Sequence, residues 1–433
     1  MSAKSRLVGN VLNLYLGSRP AKHGLYTVGR WLRGGRRRAR LYYRADDPYS
    51  HLLAQIAPRL ASTYAMSIEI VPVAQPGIGA NPAPEMLLEH SIRDAALLAE
   101  RYGLSFPRDA TPPAEDRVRR VHAVLLELSP EERLQVAPEL GEAAWRDDGP
   151  ALAAIVDKHG SLSGQSVTPA LDANYAALER AGHYQPGMIH YGGDWYWGID
   201  RLSHLEARLR REGLDGSLGL QPGACPSLAS MIEPQPGERP RIEVFVSFRS
   251  PYSYVAIDQL IALRERYDVE VKVRPVLPMV MRGLAVPSSK RLYIAFDAKR
   301  EADRLGIPFG QVCDPLGKGI AYCMAIFFRY AEGKGLELEF PHSVMRGIWS
   351  EARDVSQVSD LVQVATRVGI SEAEVEAVLD DRSWKEPARA NRDALTGLGL
   401  WGVPSFRIGG YSTWGQDRLP LIEAEIARFS RDL

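Results

Sequence analysis

Cysteine is scarce in this chain: three residues in 433, Cys225, Cys313 and Cys323. They form no Cys-x-x-Cys pair and no metal-ligand spacing, which excludes a disulfide framework, a cysteine metal site and a dithiol redox centre. So sparse and odd a count suits a reducing compartment, and a cytoplasmic location is expected. Long apolar runs are missing too, since none reaches the ~20 residues that a membrane span needs. The stretch from Leu7 to Leu16 is interrupted by Gly9, Asn10 and Asn13. It lacks a convincing cleavage site and does not read as a signal peptide. Net charge is absent as well: 53 Lys and Arg balance 53 Asp and Glu. No whole-chain argument then favours nucleic acid or an acidic membrane, and no integral membrane segment is expected. Locally, "RWLRGGRRRAR" at 30–40 is basic. Residues 1–38 are expected to be a solvated basic arm, with a membrane or nucleic-acid contact as the alternative.

What is present is a long internal repeat. Shifted by 203, Pro48-Tyr49-Ser50 falls on Pro251-Tyr252-Ser253, Tyr64 on Tyr267, Pro72-Val73 on Pro275-Val276, and Asp94-Ala95 on Asp297-Ala298. Gly103 falls on Gly306 and Phe106 on Phe309 at the same shift. Near the two C-terminal ends the register returns at 217, with "YGGDWYWGIDRL" (191–202) over "IGGYSTWGQDRL" (408–419). A period this long predicts two whole domains rather than a solenoid of ~20–50-residue units, as the length also suggests. The expected boundaries are 39–215 for the first domain, a Pro/Gly-rich linker at 216–240, and 241–433 for the second.

In the second copy, "RIEVFVSF" (241–248) has the β-branched and aromatic content of a buried strand. Ser250 caps a helix whose first residue is Pro251, where a missing N–H costs nothing. That helix runs to about Arg266, and "VEVKVRPV" (269–276) is a second, parallel strand. Apolar periodicity predicts helices near 288–305, 316–332, 340–351, 357–367 and 371–380. A strand then ends at Gly409-Gly410, "YSTW" adds another, and an amphipathic helix closes the chain. The fold class is α/β: two tandem thioredoxin-like domains, each with a helical insertion.

The second copy resembles the 2-hydroxychromene-2-carboxylate isomerases and kappa-class glutathione transferases, a DsbA-like branch of the thioredoxin fold. The resemblance rests on Ser250-Pro251-Tyr252-Ser253-Tyr254, on Lys290, Tyr293, Asp297 and Arg300, and on Gly402-Val403-Pro404-Ser405-Phe406. Gly409-Gly410 and Trp414-Gly415-Gln416-Asp417-Arg418-Leu419 complete it. It implies a glutathione cofactor. Ser250 would favour the thiolate from a helix N-terminus, which supplies partial positive charge and N–H donors. Val403 and a cis Pro404 would pair with the cysteinyl backbone, and Gln416 and Asp417 would hold the γ-glutamyl end. Lys290, Tyr293 and Arg300 would meet a small-molecule substrate, an aromatic-type acid; no metal enters. The two domains would pair within one chain, with a homodimer as a further possibility.

Each motif also has an ordinary reading. Ser-Pro-Tyr-Ser is a helix cap, Val-Pro a turn, Gln-Asp-Arg a capping feature, and Lys290 with Arg300 a solvated helix face. The first copy departs further: Asp47 replaces Ser250, Gly187 stands at Pro404, and Leu87 and Leu97 replace Lys290 and Arg300. The implied function is a glutathione-dependent isomerase, acting by reversible thiolate addition to an unsaturated carbonyl. The alternatives are a kappa-type transferase and a non-catalytic binding module. A thiol–disulfide oxidoreductase needs a cysteine at the helix start, and neither copy has one.

Overall fold

The computed structural model describes residues 3–32, 35–77, 81–223, 225–232, 239–284 and 286–429. They divide into two compact units, one of Pro20–Cys225 and one of Pro226–Leu433 together with Met1–Arg19. Two helices, α1 (Ala3–Gly17) and α2 (Arg19–Leu32), occupy most of the segment expected to be an arm. Two of the residues that break the apolar run in α1, Gly9 and Asn13, are contact points. A Cβ on Gly9 would lie 2.4 Å from the Val312 carbonyl oxygen, and Asn13 Oδ1 accepts the Val312 N–H at 3.1 Å.

The Pro20–Cys225 unit runs β1 (Arg38–Tyr43), α3 (Pro48–Thr63), β2 (Ser67–Pro72), α4 (Pro84–Tyr102), α5 (Glu115–Glu127), α6 (Pro130–Trp145), α7 (Gly149–His159), α8 (Gly164–Arg180), β3 (Met188–Tyr191), β4 (Asp194–Trp197) and α9 (Leu202–Arg211). In the other unit come α10 (Pro226–Ile232), β5 (Arg241–Val246), α11 (Pro251–Arg266), β6 (Glu270–Pro275), α12 (Ser288–Leu305), α13 (Lys318–Ile326), α14 (Glu339–Ser350), α15 (Val358–Thr366), α16 (Glu372–Glu376), α17 (Lys385–Gly397), β7 (Ser405–Ile408), β8 (Tyr411–Trp414) and α18 (Leu419–Phe429).

The two sheets are ordered β2-β1-β3-β4 and β6-β5-β7-β8. In each, the first pair is parallel and the other two are antiparallel. The central strands alternate at their starts and end in buried apolar runs, Leu41-Tyr42-Tyr43 in β1 and Val244-Phe245-Val246 in β5. Leu41, Tyr43, Val244, Phe245 and Val246 are fully buried, each such side chain contributing about 1.5–3 kcal/mol.

The two sequence shifts are also the registers of the sheets. Arg38 opposite Ser67 becomes Arg241 opposite Glu270, both partners moved by 203. Ala39 opposite Tyr191 becomes Ile242 opposite Ile408, moved by 203 and 217. Met188 opposite Trp197 becomes Ser405 opposite Trp414, both moved by 217. Gly103 and Gly306 end α4 and α12 in the left-handed conformation that glycine adopts without steric cost. Asn174 donates to the Pro72 carbonyl at 2.8 Å, and Asn391 to the Pro275 carbonyl at 3.1 Å. The fourteen residues by which the Pro226–Leu433 unit exceeds the other at matching positions therefore lie between Gly306 and Asn391, in the helical insert.

Two further elements differ from the sequence reading. Within the expected linker, α10 buries Leu228, Ala229 and Ile232, and its Met231 carbonyl accepts the Gly410 N–H at 2.8 Å. Seven residues are too few to show a period, so only packing reveals this helix. Helix α17 has no counterpart in the sequence reading, because "KEPARANRDALTG" is mostly polar and buries only Ala388, Asn391 and Leu395. The remainder of the expected linker, 233–238, lies outside the described residues.

Candidate functional site

The corner between β5 and α11 is built by local hydrogen bonds. Ser250 is the N-cap of α11, with extended backbone at φ −91° and ψ 119°. Its Oγ accepts the Ser253 N–H at 3.2 Å, and Ser253 Oγ in turn accepts the Ser247 N–H at 3.3 Å. Pro251 fills the first helical position, so the helix begins without a wasted donor. Adjacent Arg249 turns its guanidinium onto Asp314, Nε to Oδ1 at 2.5 Å and Nη2 to Oδ2 at 2.6 Å. That ion pair, from the segment 314–317, is absent from the sequence reading because 65 residues separate its partners.

Folding brings a second loop to this corner. The Val403–Pro404 bond is cis. The Ser250 hydroxyl donates to the Val403 carbonyl oxygen at 3.4 Å across a separation of 153 residues. Pro404 O accepts the Gly415 N–H at 2.9 Å, which ties the loop to the end of β8. Gly402 is required by packing: a Cβ there would sit 2.4 Å from the Trp414 ring.

Lys290, Tyr293, Asp297 and Arg300 follow helical spacing along one side of α12. The first three are buried and Arg300 is half-buried, so this is not a solvated face. Tyr252 donates to Asp297 Oδ2 at 2.7 Å, and Arg300 pairs with Asp297 Oδ1. Arg300 is thus linked through Asp297 to Tyr252, the second residue after the Ser250 cap. The Lys290 ammonium lies 5.4 Å from the centroid of Trp401, and Trp401 packs against Trp414 at 5.2 Å. Burial lowers its pKa to about 8.

Gln416 and Asp417 form a 3-10 turn before α18. The Gln416 side chain is buried, donates to Glu301 Oε2 at 3.3 Å and to Asp417 Oδ1, and accepts from Gln259 at 3.4 Å. It secures the turn to α12 and α11. Asp417 is only partly buried.

The equivalent corner in the other unit has the same scaffold and a different occupant. Asp47 caps α3, accepting the Ser50 N–H at 2.9 Å and the Ser50 hydroxyl at 2.5 Å. Ser50 Oγ accepts the Arg44 N–H at 3.2 Å, the counterpart of Ser247 with Ser253. Tyr49 donates to Asp94 at 2.7 Å as Tyr252 does to Asp297. Desolvation raises the Asp47 pKa to about 6, with the hydrogen bonds from Ser50 opposing it and the Asp46 charge reinforcing it. Gly187 occupies the place of Pro404, its carbonyl accepting the Gly198 N–H at 3.0 Å as Pro404 accepts that of Gly415. Its φ is +67°, and a Cβ there would lie 2.7 Å from Asp47 Oδ2.

Comparisons with known proteins concern less than half of the chain. The family described as DSBA-like thioredoxin domain matches residues 241–427. A 2-hydroxychromene-2-carboxylate isomerase of Pseudomonas putida is 24% identical over 200 residues, covering 44% of this chain and 96% of its own length. Glutathione S-transferase kappa 1 of Rattus norvegicus is 23% identical over 205 residues, covering 43% of this chain and 91% of its own. Among solved structures, a 2-hydroxychromene-2-carboxylate isomerase is similar at 24% identity and TM-score 0.39, over 44% of this chain and 97% of that one.

Proposed function

We propose that the Pro226–Leu433 unit binds glutathione at the start of α11 and is a glutathione-dependent isomerase of the 2-hydroxychromene-2-carboxylate isomerase kind, with a kappa-type transfer as the related alternative. Glutathione held there would supply a thiolate for reversible addition to the unsaturated carbonyl of an aromatic-type acid. Ser250 would turn its hydroxyl from the Val403 carbonyl to the sulfur, and the positive end of α11 would favour the ionised form. Val403 would offer its backbone to the cysteinyl residue in extended pairing. Among the described residues its N–H makes no backbone hydrogen bond. Asp417 would receive the γ-glutamyl ammonium, with Gln416 holding the turn in place. Lys290 would meet the substrate carboxylate beside Trp401, Tyr293 would line the same side of α12, and Arg300 would position Tyr252 through Asp297.

One observation carries this reading: the Ser250 hydroxyl and the Val403 carbonyl, far apart in sequence, meet at 3.4 Å. A sulfur beside both would face a donor and a peptide edge. The residues fit the group in a second respect. The buried Ser247 hydroxyl within the same turn has no hydrogen-bond partner among the described residues, and such groups ordinarily find one. The names of the two curated relatives point the same way. Calorimetry on the full chain tests it: glutathione affinity of roughly millimolar or better is expected, with isomerase activity reduced in Ser250→Ala. No binding, or a Ser250→Ala variant as active as the parent, would refute it.

A different reading suits the Pro20–Cys225 unit. Asp47 supplies the anion at its own helix start, and a carboxylate there repels a thiolate. We infer that this unit is a diverged duplicate that binds no glutathione, and the shared registers and shared Asn and Tyr contacts support a common origin.

A further inference from the structure

The basic segment that precedes β1 plays no part in the reading above. Residues 1–45 carry eleven Lys and Arg and neither Asp nor Glu, in a chain that is neutral overall. Within it, α2 has two unlike sides. One is fixed to its unit: His23 Nε2 lies 2.7 Å from Asp194 Oδ2, Tyr26 packs edge-on against Tyr191 at 5.5 Å, and the Arg208 guanidinium sits 5.4 Å from the centre of the Tyr26 ring. The other presents Leu25, Val28 and Trp31, three residues apart, at 73%, 57% and 76% exposure. At ~100° per residue these three fall on the side opposite His23 and Tyr26. An anchored helix does not turn such a face inward, and a bare Trp, Leu and Val row is unusual on a soluble surface.

Lys22 on α2, Arg36 just before β1 and Arg38 at its first residue are exposed. In the other unit, α1 likewise exposes Val11 and Leu14, at 53% and 77%, while Asn13 fixes it by its contact with Val312.

We propose that α2 is a peripheral docking face for anionic lipid bilayers. Leu25 and Val28 enter the acyl boundary, Trp31 sits at the headgroup level where an amphipathic ring is stable, and the surrounding cations meet the lipid phosphates. The charge and the apolar row must be explained together. Nucleic acid would satisfy the cations and leave Leu25, Val28 and Trp31 in water, whereas a bilayer interface satisfies both. The helix has 14 residues, about 21 Å at 1.5 Å per residue, which lies in the interface and does not cross it.

The test is sedimentation of the full chain with phosphatidylcholine vesicles, with and without about one-third phosphatidylserine. Binding is expected only to the anionic vesicles, lost at high salt, and weakened about tenfold or more in the triple variant Leu25→Ser, Val28→Ser, Trp31→Ser. Because these side chains are exposed, the variant should keep the parent's circular dichroism and thermal transition. A second variant, Lys22→Glu with Arg36→Glu and Arg38→Glu, should weaken binding while leaving that of phosphatidylcholine vesicles at zero. Absence of binding to anionic vesicles, or binding indifferent to the apolar triple change, overturns the proposal. So does preferential binding of single-stranded RNA that the triple change leaves intact.

Discussion

Two helix starts, built on one scaffold, differ in what stands at the N-cap. At α11 the cap is neutral Ser250, whose hydroxyl reaches across to Val403. At α3 it is Asp47, which takes both the N–H and the hydroxyl of Ser50 for itself. The strands, registers and Tyr–Asp contacts around them agree, so the difference is local. A helix N-terminus attracts an anion; one unit carries that anion in its own chain, and the other leaves the position to a hydroxyl. On the proposed reading, one residue at a cap and one residue in the facing loop distinguish a unit that takes a thiolate from one that does not.

The comparison can be broken most strongly at the paired aspartates. Asp297→Ala removes the acceptor of Tyr252 and strands the Arg300 charge, a change expected to cost about 3–5 kcal/mol. In the other unit Leu97 stands in place of Arg300, so Asp94→Ala should cost less, about 1–3 kcal/mol. Hydrogen exchange, which reads the two units separately, checks the order. Equal losses would mean that the Arg300 pairing adds nothing.

A smaller effect distinguishes the caps by pH. Asp47 has its pKa raised from 3.8 to about 6, so the folded unit holds a proton that the unfolded chain releases. Its contribution is greatest below pH 3.8 and falls as pH rises to about 6. Asp47 is partly exposed, so the change is put at about 1–2 kcal/mol. Asp47→Asn should flatten that slope in pH-dependent unfolding, and an unchanged slope would remove Asp47 as its source.

Smaller still is the effect expected at Lys290. With a pKa lowered to about 8, it loses its proton as pH rises through that value. Affinity for a carboxylate ligand should then fall by about fivefold, near 1 kcal/mol, and Lys290→Met should abolish the pH dependence. Fluorescence titration of an aromatic acid at pH 7 and about pH 9 measures it. An identical profile in Lys290→Met would show that another group binds the acid.

Much of this architecture was legible in the sequence because it is local or repeated. The cap at Ser250, the strands on either side and the two shifts of 203 and 217 all appear as patterns in the chain, and the shifts reappear as sheet register. What was hidden depends on distant partners. Nothing in the sequence pairs Arg249 with Asp314, or Asn391 with the Pro275 carbonyl. Polar α17 and seven-residue α10 have too weak a period to be found, and their few buried residues become visible only once a partner surface exists. Gly9 and Asn13 read as interruptions in the sequence because a close backbone approach has no signature in composition. For the candidate site, the sequence names Ser250, Val403 and Pro404, which the fold brings together, but not the contacts that engage its other residues. Gln416 is engaged by its neighbours, and Arg300 is paired with Asp297.

The most direct measurement is a calorimetric titration of the full chain with glutathione, repeated for Ser250→Asp and Asp47→Ser. A single site per chain is predicted, weakened about 100-fold or more by the charge introduced at residue 250 and unaffected at residue 47. Binding that survives Ser250→Asp, or is lost with Asp47→Ser, would contradict the assignment of the thiolate to the α11 corner.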